Sequence, residues 1–144
     1  MPELASSFST WFKDIQPAQR PGVLFTLAGY RDGTPPEPMI YLLNSQTNFA
    51  PQLFRDTSLM GVPQYAVYLV HRYYDASITL EKAKALAEYL IDETASQDPK
   101  VGGPVRMAVI QHGQPYEELA AAEVDGIHQS NDTLKQRLRE FFLA

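Results

Sequence analysis

Hydrophobic and polar positions follow different periods along the chain, and each period predicts one kind of element. Near the N-terminus apolar residues recur every three or four positions, which predicts a short helix that ends before Pro17. Its apolar positions are Phe8, Trp11, Phe12 and Ile15. Two continuous apolar runs, 23–30 and 39–44, are separated by turn residues and predict two buried antiparallel strands. A weaker pattern over 53–59 predicts a third strand.

Two consecutive helices are predicted in the middle of the chain. Helical spacing runs from about Val62 to Tyr74, and Thr79 is placed to cap a second helix. The second helix is expected to turn one face inward and keep the other in water. The inward set is Leu80, Ala83, Ala87, Leu90 and Ile91, and the solvated set is Glu81, Lys82, Lys84 and Glu88.

The last third of the chain predicts a hairpin and a closing helix. Residues 105–110 alternate as a strand, the sequence QHGQ forms a turn, and residues 115–119 supply the returning partner. Apolar residues then repeat at helical spacing at Val124, Ile127, Leu134, Leu138 and Phe141. The order α-β-β-β-α-α-β-β-α predicts an α+β protein with mainly antiparallel sheet covered by helices.

Composition excludes several function classes. The formal net charge is -5 and the basic residues are scattered, which disfavours a nucleic-acid partner. The chain has no cysteine, so disulfides and thiolate chemistry are excluded. It has neither a signal-peptide pattern nor a membrane-spanning apolar run, so we expect a cytoplasmic protein without a membrane partner. Phosphate-binding and dinucleotide motifs are absent and the three histidines show no metal-site spacing, so neither cofactor nor metal is expected.

Two motifs carry a resemblance to a known family. The first is YDASITLEKA, Tyr74 to Ala83, at the corner between the two helices, and the second is DPKVGGPVR, Asp98 to Arg106, before the strand. With the order of elements, they make residues 21–124 similar to the C-terminal half of proteasome-type β subunits, which are N-terminal-nucleophile (Ntn) hydrolases. The resemblance implies a four-layer αββα sandwich and peptide-bond hydrolysis by an N-terminal threonine.

The chain departs from that family at its catalytic end. The half that carries the threonine nucleophile does not precede the first helix, and neither Thr10 nor Thr26 has a pattern suited to replace it. The family's two supporting serine positions correspond to Val101 and Gly61. We therefore assign no catalytic residue. Asp98 is either a remnant supporting residue of the active site or an acceptor of backbone N–H groups in its own turn, and the missing nucleophile favours the second interpretation.

We interpret the chain as one domain, 1–144, and its fold as an incomplete Ntn sandwich. It comprises a short helix and linker (1–20), the family-like region (21–124) and a C-terminal helix (125–144). Its expected role is that of a non-catalytic assembly or structural subunit, which associates with itself or with a partner that supplies the missing strands. The alternative is the C-terminal fragment of a threonine-type peptidase or amide hydrolase whose nucleophile lies upstream of Met1. Tyr68 and Tyr74 are interface candidates, whereas Tyr65 and Tyr73 are expected to pack in the core.

Overall fold

A computed structural model describes residues 2–143, with the side chains of Pro2 and Leu4 left out. The chain forms two compact units: unit 1 holds residues 1–60 and 110–114, and unit 2 holds residues 61–109 and 115–144. The elements in chain order are α1 (Pro2–Trp11), β1 (Leu24–Arg31), β2 (Glu37–Asn44), β3 (Gln52–Phe54), α2 (Gln64–Tyr73), α3 (Leu80–Gln97), β4 (Ala108–Val109), β5 (Glu117–Glu118) and α4 (Ala121–Leu143).

Unit 1 is built on a three-stranded antiparallel sheet in the order β1-β2-β3. Leu27 lies opposite Tyr41 in the first pair, and Tyr41 lies opposite Leu53 in the second. The β1–β2 turn contains the cis peptide Thr34–Pro35. The predicted antiparallel strand pair is confirmed, while the third strand is limited to three residues.

The core of unit 1 lies on one face of this sheet. Phe25 of β1 stacks on Phe8 of α1 with ring centroids 4.5 Å apart, and the fully buried Phe49 packs against both rings. Arg20 closes the edge of this core. Its guanidinium is buried and donates to the carbonyl oxygens of residues 12, 15 and 45 and to the side-chain oxygen of Asn48.

The opposite face of β1 is not buried, which corrects the expectation of two fully buried strands. Leu24, Ala28 and Tyr30 share that face because side chains alternate along a strand, and all three are exposed. The α1 helix also ends earlier than expected, at Trp11, whose side chain is 71% exposed. A continuous apolar run therefore marks the strand correctly and overstates its burial.

Unit 2 contains the helix pair that the sequence predicts. The chain turns between α2 and α3 at Asp75, whose carboxylate accepts hydrogen bonds from the N–H and hydroxyl of Ser77. Thr79 is the N-cap of α3 and accepts from the N–H of Lys82 at 3.4 Å. The core includes Ala66 and Val70 from α2, Leu90 from α3 and Val124 from α4.

Three expectations for unit 2 are corrected, two by side-chain burial and one by the length of the hairpin strands. Tyr65 and Tyr73 are about half exposed instead of packed in the core, and Tyr74 is less exposed than either. On α3, Glu88 is fully buried, whereas Leu80, Ala87 and Ile91 of the expected inward set are exposed. The predicted hairpin is present, with residues 117–118 returning as the partner of 108–109, but each strand has only two residues. The mixed α+β class with antiparallel sheets is confirmed.

Candidate functional site

Asp98 lies at the C-terminal end of α3, where the chain leaves the helix. Its side-chain oxygen accepts from the N–H of Lys100 at 2.8 Å, and its carbonyl oxygen accepts from the N–H of Val101 at 3.0 Å. Gly103 follows with a φ of +90°, a conformation that glycine adopts without strain. The geometry is that of an Asp-stabilised turn, as in the second interpretation of this residue.

The two threonines considered as nucleophiles are engaged in local contacts. The hydroxyl of Thr10 donates to the carbonyl of Ser6 at 2.9 Å within α1. The hydroxyl of Thr26 lies 2.9 Å from the sulfur of Met60. Both arrangements are structural, and the geometry assigns neither threonine a catalytic role.

The densest polar cluster in the described part of unit 2 lies between α3 and α4, and the sequence did not predict it. At its centre the carboxylate of Glu88 has no solvent exposure. Asn131 of α4, also buried, uses both amide hydrogens, donating to Oε2 of Glu88 at 2.5 Å and to the carbonyl of Ala85 at 2.9 Å. These bonds compensate part of the large desolvation cost of burying a carboxylate.

His128 is the hydrogen-bond partner of the other carboxylate oxygen of Glu88. Its Nδ1 lies 2.6 Å from Oε1 of Glu88, and its Nε2 lies 3.3 Å from Oδ2 of Asp132, one turn further along α4. The hydrogen bond to Glu88 raises the pKa of His128 above its ordinary value; burial opposes this shift, and the charge of Asp132 adds to it. The imidazolium form, which donates from both nitrogens, is therefore more stable here than it is in an isolated histidine.

A second ion-pair group borders the first. Lys135 of α4 forms ion pairs with Asp92 and, at 3.2 Å, with Glu93, both on α3. Burial alone lowers the pKa of Lys135, but the hydrogen bonds to these two carboxylates outweigh it, so the pKa lies above its ordinary value. Glu88 and Asp92 are four residues apart and so lie on the same face of α3.

A cavity of about 250 Å³ lies beside this cluster. Glu88, Asp92 and His128 line it, together with Asp125 of α4 and residues 103–105, which follow the Asp98 turn. One atom from each of Glu88, Asp92 and His128 lies within 4.8 Å of the others, which is the spacing of a possible metal site. A carboxylate that orients an imidazole also serves proton transfer in other proteins.

The sequence contained only a weak signal for this cluster. Glu88 interrupts the inward face of α3, and His128 and Asn131 are three residues apart, so they share one face of the last helix. Since glutamate is usually exposed, its position in the helical pattern predicts a solvated side chain. Only the packing of α3 against α4 brings residues about forty positions apart into contact.

The second candidate surface is apolar and lies on α4. Leu134, Leu138 and Phe141 are spaced by four and three residues, and Phe142 follows Leu138 by four; together they form one stripe, which we call the α4 stripe. Each is substantially exposed, and Phe141 and Phe142 are both 77% exposed. Leu134 and Leu138 also line an open groove of about 410 Å³ with Tyr73, Leu86 and Tyr89.

Comparison with known proteins assigns no family. No protein-family model matches the chain, and no curated protein shows significant similarity to it. Among the described helices, none combines the length and apolar character needed to cross a membrane.

Proposed function

We propose that the chain is a proteasome-type Ntn-hydrolase-like domain without catalytic activity of its own, and that it acts as a structural subunit by associating with further copies of itself. The placement of the two family-like motifs supports this proposal. The motif at 74–83 forms the corner between α2 and α3, and the motif at 98–106 forms the turn that leaves α3. A helix corner and a turn before a strand are what the resemblance predicts at these two motifs, and this agreement supports the proposal.

The observation that carries the assembly role is the exposed apolar surface of α4. Leu134 and Leu138 are 51% and 44% exposed, and Phe141 and Phe142 are both 77% exposed. A contiguous apolar surface on a helix marks a protein–protein contact site, because burying it against another apolar surface removes it from water.

The α4 stripe is the surface that we assign to this contact. Ile127, Asn131, Leu134, Leu138 and Phe141 follow an alternating spacing of four and three residues, which is the repeat that pairs helices. The first part of this repeat is used within unit 2, since Asn131 is buried against α3. The second part is exposed, so a second copy can continue the same packing on it.

Sedimentation velocity over a range of protein concentrations tests the assembly. We expect the wild type to be oligomeric and the double variant Leu138→Glu/Phe141→Glu to be monomeric, because the added carboxylates cannot be buried unpaired. Gln136→Glu adds a charge to the same helix away from the stripe and is expected to leave the oligomer intact. A wild-type monomer at every concentration that binds no hydrophobic dye would contradict the assembly role.

The non-catalytic part is tested separately. Purified chain is expected to release no product from a panel of fluorogenic peptides, because no residue is assigned as a nucleophile. Peptidase activity that follows the chain through purification and disappears when one of its own residues is replaced would show that this assignment is wrong.

A further inference from the structure

The cluster between α3 and α4 also has the donor set of a metal site. Glu88 and Asp92 come from successive turns of α3 and His128 comes from α4, with one potential ligand atom of each inside a 4.8 Å span. One imidazole nitrogen and two carboxylate oxygens suit first-row divalent ions, zinc among them. We infer that unit 2 binds a divalent metal ion of this class through Glu88, Asp92 and His128, independently of the proposed assembly function.

The cavity gives such an ion access and room for water. All three donor residues line it, while Glu88 itself is fully buried at its inner side. A space of about 250 Å³ can hold several waters, each of which takes about 30 Å³ in the liquid. Three protein ligands with a solvent-filled remaining position is the arrangement of an open zinc site.

Neighbouring side chains hold two of the three donors in place. Asn131 donates to Oε2 of Glu88, which leaves Oε1 directed toward His128. Lys135 pairs with Oδ2 of Asp92, which leaves the other carboxylate oxygen available. Such second contacts orient ligands in known metal sites, and their removal commonly costs tenfold or more in affinity.

The surrounding charge favours a cation. Asp125 lines the cavity, Asp132 faces His128, and Glu93 pairs with Lys135, so these carboxylates add to those of Glu88 and Asp92. The described positive partners of this group are His128 and Lys135. An ion would replace the proton shared by Nδ1 of His128 and Oε1 of Glu88; that proton leaves to solvent and the nitrogen lone pair binds the ion. The two atoms must then separate from 2.6 Å to about 3.3 Å, the spacing of ligands about 2.0 Å from a tetrahedral zinc ion.

Titration calorimetry with zinc chloride on the EDTA-treated full chain tests the site, and cobalt(II) absorption reports its geometry. We expect one ion per chain and visible cobalt bands of a four- or five-coordinate site. His128→Gln and Asp92→Asn should each weaken zinc binding by at least about tenfold and remove the cobalt bands. Both side chains reach the surface, so these variants avoid the folding defect expected for Glu88. His71→Gln, at an exposed position of α2, is the matched control and should bind as the wild type does.

Two results would overturn the inference. The first is the absence of saturable zinc binding by a chain whose circular dichroism shows folded helices. The second is zinc binding that His128→Gln and Asp92→Asn leave unchanged, since such binding would be adventitious. If the cluster only stabilises the fold and binds no metal, these variants will change the unfolding curve but leave the cobalt absorption spectrum unchanged.

Discussion

Replacing Asn131 by alanine removes the buried amide that joins α3 to α4. One lost hydrogen bond goes to the carboxylate of Glu88 and the other to the carbonyl of Ala85. A bond to a charged group contributes about 1.5–3 kcal/mol and a neutral one about 0.5–1.5 kcal/mol. Alanine recovers about 0.5 kcal/mol through its higher helix propensity. The expected loss in the free energy of unfolding is therefore about 1.5–4 kcal/mol.

Urea unfolding followed by helical circular dichroism measures this loss, with EDTA present and protein concentration fixed because association changes apparent stability. Ser130→Ala is the matched control, since its exposed hydroxyl donates only to the carbonyl of Gly126 in its own helix. This control should remain within about 0.5 kcal/mol of the wild type. If Asn131→Ala also stays within that range while keeping its helical signal, the buried network does not hold the two helices together.

Three further predictions test other parts of the chain. Because the pKa of His128 is raised, its bond to Glu88 stabilises the fold fully below about pH 6.5, and this contribution is lost as the pH rises through the folded-state pKa. His128→Gln, measured in EDTA, should remove this pH dependence of stability. A variant whose pH profile equals that of the wild type would count against the prediction. Arg20→Lys should lower the free energy of unfolding by about 2–3 kcal/mol, because lysine cannot reproduce the several directed hydrogen bonds of the guanidinium. A chemical-denaturation midpoint equal to that of the wild type would refute a stabilising role for Arg20. Gly103→Ala should destabilise the fold by about 1–2 kcal/mol because Gly103 has a positive φ. Gly126→Ala should stabilise it by about 0.5–1 kcal/mol, because Gly126 lies in a helix with open space around it. Shifts of the same sign in the thermal unfolding temperature would contradict this backbone argument.

The elements could largely be predicted because their signals are local. Helical spacing and the Thr79 cap identified α2 and α3, and turn residues identified the β1–β2 pair. Burial was predicted less well, because it depends on what covers each face. The apolar run of β1 contains a core face with Phe25 and an open face with Leu24, and the sequence marks the two in the same way.

The candidate site was hidden from the sequence for a physical reason. A glutamate in a helix is usually solvated, and only the arrival of His128 and Asn131 from α4 makes the burial of Glu88 tolerable. That arrival depends on a tertiary contact between distant segments. By contrast, the turn at Asp98 is set by its own next few residues, and its geometry agrees with the local one of the two interpretations.

The short loop at 110–114 determines how the protein can be divided for experiments. Its flanking strands belong to unit 2, but the loop belongs to unit 1, where the ring of His112 packs edge-on against Tyr30 at 5.5 Å. A recombinant fragment 61–144 therefore carries every residue of unit 2, whereas a fragment 1–60 lacks part of unit 1. A cut at residue 60 separates Tyr30 from His112, so the NMR signals of the Tyr30 ring in fragment 1–60 are expected to differ from those in the full chain.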